Sequence, residues 1–71
     1  MNQPVSLDEQ LVLGHVVALR HGTVYLDSRP IGVLDYNRQL DAYTSSVDRD
    51  PRSLMDHLEL LVRADQRRGS R

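Results

Sequence analysis

The sequence predicts an α+β fold in which a small antiparallel sheet is covered by one C-terminal helix. Three observations point to it. Short β-branched and aromatic runs separated by turn residues occupy the middle of the chain. A helical stripe behind Asp50-Pro51 occupies its end. The 71 residues, 39% hydrophobic and 27% charged, suit one small folded domain over residues 1–71 better than disorder.

The first third of the chain admits two readings. Ser6-Leu7-Asp8-Glu9 matches a capping box and Gly22 suits a helix C-terminus, so residues 7–21 read as a helix on those signals. Against this, the apolar residues between Leu11 and Leu19 point all around a helical wheel, and three valines with Gly14 lower the propensity. The preferred reading is a strand over about 11–20 with a bulge at Gly14, followed by a turn at Arg20-His21-Gly22 with glycine left-handed.

Thr23-Val24-Tyr25-Leu26 and Ile31–Tyr36 read as the two strands of a hairpin, over about 23–27 and 31–36, joined by Asp27-Ser28-Arg29-Pro30. Proline at 30 makes Arg29 extended and restricts itself to a strand start or edge, which puts Arg29 at an exposed tip. Alternation sets Val24 and Leu26 on one face and Tyr25 on the other, which it shares with Leu34 and Tyr36 if the register pairs them. Residues 37–49 are polar and read as a loop or a short edge strand.

The last element is a helix over about 51–67, with Asp50 as N-cap, Pro51 at the first helical position and Asp48 adding charge at the positive end of the dipole. Leu54, Met55, Leu58, Leu61 and Val62 form its core stripe, and Leu60 points elsewhere. Arginines crowd the last turn, where they favour the negative end of the dipole, and residues 69–71 fray.

Composition excludes more than it assigns. The chain has no cysteine, lysine, tryptophan or phenylalanine, so the core must be aliphatic, and neither a disulfide framework nor a Cys-based zinc site is available. The absence of cysteine, of a long apolar run and of a signal-like start leads us to expect a cytosolic chain without a membrane span. Residues 1–50 carry four arginines against seven carboxylates, and residues 51–71 five against three. So mild a dipole lacks the basic stripe of a duplex DNA binder.

His15, His21 and His57 lack the tight spacing of metal ligands and read as strand, turn and helix-surface residues. The serines lack a G-x-S-x-G or S-x-x-K setting, and Ser6 and Ser53 read as cap or first-turn residues. The glycines are isolated, so no phosphate loop is built. Enzymatic activity, cofactors and small-molecule ligands are therefore not expected. The hairpin, apolar on both faces, leaves a surface that one helix cannot cover, and tyrosine and arginine beside it are residue types that dominate interfaces.

Residues Met1–Gln10 and Gly22–Tyr36, together with length and composition, resemble the small transcription regulators that lytic bacteriophages of plant-pathogenic proteobacteria direct at host RNA polymerase. The resemblance runs over the whole chain but rests on no transferable motif. It implies a non-enzymatic ligand of the polymerase in the host bacterial cytoplasm, bound near the start of the β′ subunit and the β flap. There it would displace σ factor at host promoters and promote antitermination, with NusA and nascent RNA nearby. The residues place the contact at Tyr25, Arg29, Leu34 and Tyr36, with Arg67 and Arg68 beside RNA or an acidic protein surface. A toxin-neutralising or immunity-type protein and a small DNA-binding repressor remain the alternatives.

Overall fold

The computed structural model describes residues 7–69 and has an α+β arrangement, a five-stranded antiparallel curled sheet followed by a helix. The strands are β1 (Leu7–Val12), β2 (His15–Arg20), β3 (Thr23–Leu26), β4 (Arg29–Asn37) and β5 (Ala42–Ser45), and the helix is α1 (Leu54–Gly69). The sheet is a plain meander in the order β1-β2-β3-β4-β5. Residues 7–21 are thus strand and not helix, and 42–45 form the edge strand that the polar segment allowed. Ser6 of the capping-box reading, and residues 70 and 71 of the frayed tail, lie outside the described residues.

Two-residue turns make the meander tight. Leu13-Gly14, His21-Gly22 and Asp27-Ser28 each link paired strands, and all six residues have positive φ, as mirror-image hairpin turns require. Gly14 is therefore a turn residue and not a bulge. The single strand expected over 11–20 is two strands folded back at Leu13-Gly14, with Val12 opposite His15. The signal is weak in sequence because leucine rarely occupies the left-handed first position. The β3–β4 link is also shorter than expected, with Arg29 and Pro30 already part of β4.

A bulge lies in β4. Val24 pairs with Gly32, but Tyr25 pairs with Pro30, which leaves Ile31 as the extra residue. Ile31 and Leu34 consequently both reach the core although they stand three positions apart, an odd spacing that would otherwise set them on opposite faces. The shift also corrects the expected face assignment. Leu34 is 1% exposed, on the side of Val24 and Leu26 and opposite to Tyr25.

The helix packs on β4, β5 and β1. It starts three residues later than expected, because Ser53 and not Asp50 is the cap, its Oγ accepting from the Asp56 N–H at 3.2 Å. Arg52 is held back in the sheet by two backbone hydrogen bonds to Tyr43, of 2.8 and 2.9 Å. The Asp48 carboxylate accepts from the Asp50 N–H and from Arg52, and these bonds, the backbone one foremost, hold its pKa below the usual carboxylate range.

The buried core is aliphatic. Val12, Val17, Leu19, Val24, Leu26, Ile31 and Leu34 of the sheet meet Leu58, Leu61 and Val62 of the helix. The helical stripe is rotated from the expected one, since Met55 is exposed and His57 is fully buried. His57 is not a surface residue because its ring has partners. Nε2 lies 2.9 Å from the Asp50 carbonyl and Nδ1 3.1 Å from Ser45 Oγ, which satisfies both nitrogens inside the protein. With Nε2 donating to the carbonyl, a neutral ring accepts from the serine at Nδ1.

Candidate functional site

Alternation along β2 and β3 sorts their side chains between two faces. Val17, Leu19, Val24 and Leu26 are buried beneath the helix, while Val16, Ala18, Arg20 and Tyr25 belong to the outer face. Register carries the outer set further, because Leu11 pairs with Val16, Ala18 with Tyr25, and Thr23 with Val33. Leu11, Val16 and Val33 are respectively 76%, 41% and 48% exposed, so this face presents apolar groups that no element of the described residues covers. Small Ala18, flanked by larger neighbours, leaves an open depression of about 500 Å3 lined by Glu9, Val16, Arg20, Tyr25 and Asp27. The Arg20 guanidinium lies 6.0 Å from the Tyr25 ring centroid, a loose cation–π contact on the same face.

The structure does not gather the six expected contact residues into one patch. Tyr25 is on the outer face, but Leu34 is in the core. Tyr36 pairs with Tyr43 at the other end of β4, their ring centroids 5.0 Å apart. Its hydroxyl donates to Asp41, and that bond raises the Tyr36 pKa by favouring the protonated phenol. Arg29 is solvent-exposed, as its place beside the turn requires, yet its guanidinium is engaged. It donates to both oxygens of Asp65 on the helix, at 2.9 and 2.8 Å. The pairing holds Asp65 below the usual carboxylate range and raises Arg29 above its own ordinary value. Beside it, Gln66 Nε2 lies 2.6 Å from His15 Nε2, a second link between the helix end and the sheet. Arg67 and Arg68 are exposed in the last turn of α1, on the helix side of the molecule.

Leu11, Val16, Arg20 and Val33 were missed as surface-forming residues. A single strand over 11–20 offers Leu11 no partner within its own segment. The hairpin at Leu13-Gly14 reverses the chain and joins Leu11 to Val16 instead. The alternation of 16, 18 and 20 against 17 and 19 was the available signal.

Among the described residues, no three histidine, aspartate or glutamate side chains cluster to hold a metal ion. No helix among them is long and apolar enough to cross a membrane. No family model, curated protein or solved structure matches the chain.

Proposed function

We propose that this chain is a non-enzymatic phage regulator that docks on bacterial RNA polymerase through the outer face of its sheet, displaces σ factor at host promoters and promotes antitermination. The observation that carries the docking half is the uncovered apolar row of Leu11, Val16 and Val33 around Tyr25, on a sheet whose other face is already filled by the helix. The partner half rests on the resemblance of Met1–Gln10 and Gly22–Tyr36 to polymerase-directed phage regulators. Mechanistically, a small ligand that binds better to polymerase without a fully seated σ shifts the population toward that state, by as much as its affinities for the two states differ.

Within this reading Tyr25 keeps its role as a contact residue and is joined by Val16 and Leu11. Leu34, buried, and Tyr36, bonded to Asp41, act by holding the domain in shape. Arg29 positions the β3–β4 turn against the helix, and Arg67 and Arg68 remain the basic groups available to RNA or an acidic surface near the exit channel.

The test is capture of purified RNA polymerase by the immobilised chain, with and without σ. Val16→Ser and Tyr25→Ala should each reduce capture while circular dichroism shows an intact fold, and excess σ should compete. Failure of the wild-type chain to retain polymerase rejects the partner. Undiminished retention by both variants rejects the outer face as the contact. Recovery from a bacterial lysate of one small toxin, or of DNA alone, would support an alternative instead.

A further inference from the structure

The depression over Ala18 has walls of different chemistry, and the register fixes each of them. Tyr25 pairs with Ala18 on one side, while on the other an irregular stretch of β1 sets Asp8 and Glu9 opposite that one residue, with Glu9 lining the hollow. Asp27 closes the Val16 end, where its N–H donates to the Val16 carbonyl at 3.2 Å. Arg20 stands at the far end, where it pairs with Thr23. Two carboxylates and one guanidinium thus surround a floor made by Val16 and Ala18.

The charges do not cancel. Among the described residues neither Glu9 nor Asp27 enters an ion pair. Arg20 leans on the Tyr25 ring from 6.0 Å and reaches neither carboxylate, and Arg29, next to the Asp27 turn, is committed to Asp65. Asp35, farther along β4 on the same face, lies outside the depression in a separate hollow shared with Arg38. The depression is therefore net acidic, which disfavours a phosphate backbone and favours a cation carried on an apolar stem. An arginine suits every wall. Its methylenes can lie along Val16 and Ala18, its guanidinium plane can stack on tyrosine, and its forked donors match carboxylates. A volume of about 500 Å3 admits that side chain together with part of its flanking segment.

We propose that this depression receives one arginine side chain of the protein partner, held between Glu9, Asp27 and Tyr25, while Leu11 and Val33 take apolar residues on either side of it. The inference rests on the reading of the outer face as the polymerase contact and sharpens it. It makes that contact one with protein and not with nucleic acid.

Two measurements separate the site from the partner. In the first, amide NMR spectra of the full chain are followed at low salt as the peptide acetyl-Leu-Arg-Leu-amide is added. Shifts should concentrate at Val16, Ala18, Tyr25 and Asp27, and be absent with the citrulline counterpart, which keeps the shape and lacks the charge. Glu9→Gln and Asp27→Asn should each weaken peptide binding about two- to fivefold, whereas Arg20→Gln, which removes a repelling charge, should strengthen it. In the second, the Glu9→Gln, Asp27→Asn double variant should capture purified RNA polymerase about tenfold less well than the wild-type chain, with circular dichroism showing an intact fold. Scattered shifts, equal shifts with citrulline, or a loss from Arg20→Gln overturn the proposal. So do shifts of the same amides by a short uridine oligonucleotide. Undiminished capture by the double variant overturns it while leaving the polymerase reading in place. Peptide binding at this site by a chain that retains no polymerase supports the site and rejects that partner.

Discussion

The two faces of the sheet are made by alternate residues of the same strands, yet they do opposite work. On the inner face Leu19, Val24 and Leu34 are closed off by Leu58, Leu61 and Val62, and His57 and Ser45 satisfy each other there. Among the described residues no buried side-chain nitrogen or oxygen lacks a partner. On the outer face the apolar groups stand in solvent beside unpaired charges. Stability therefore resides in one parity of the strands and the proposed contact in the other, and substitutions should separate the two.

The largest effect belongs to the helix–sheet contact. Leu61→Ala removes a fully buried side chain and should cost about 2–5 kcal/mol in urea denaturation, enough to threaten a domain this small. Gly32→Ala attacks the same contact from the sheet. A Cβ there would overlap Leu61 Cδ2 and come within 2.9 Å of Ser46 Oγ, so a loss of about 1–3 kcal/mol is expected. The two changes should be non-additive, since trimming Leu61 makes room for the new methyl.

His57→Leu tests the buried polar part of the inner face. It strips the ring partner from the Asp50 carbonyl and leaves Ser45 Oγ to Asp48 alone, and should lower stability by about 1–3 kcal/mol in the same assay.

A smaller effect is expected where the helix end meets the sheet. Because Arg29 depresses the folded-state pKa of Asp65, the unfolded chain takes up the proton first as pH falls. The pair's contribution is therefore complete above the ordinary aspartate pKa of about 4 and is lost as pH drops through the lower folded value. Arg29→Gln should flatten the acid limb of a stability–pH curve and leave the neutral limb nearly unchanged in shape. An unaltered acid limb would mean that the pair is energetically silent.

The smallest change in stability belongs to the outer face. Val16→Ser and Tyr25→Ala should change the unfolding free energy by no more than about 0.5 kcal/mol while reducing polymerase capture. A large stability loss there would abolish the contrast between the faces.

Much of the architecture was legible because each signal was local. Valine-rich and tyrosine-containing runs called for strands, His21-Gly22 and Asp27-Ser28 for turns, and the leucine spacing after Asp50-Pro51 for a helix. Leu13-Gly14 was illegible as a hairpin because no asparagine or aspartate announced it. Missing that turn hid the pairing of Leu11 with Val16, and missing the bulge at Ile31 misplaced Leu34. Both errors have one cause. A strand's side chains alternate with period two, so a single unrecognised residue of turn or bulge moves everything beyond it to the other face.

The amino-acid sequence by itself determined the α+β class, the aliphatic core and the poverty of catalytic groups, since these follow from composition and short-range pattern. Only the tertiary structure decided which residues face outward, that His57 is buried and that Arg29 is bound to Asp65. Those outcomes depend on register and on contacts between segments as distant as β4 and the helix end, and no local preference encodes them.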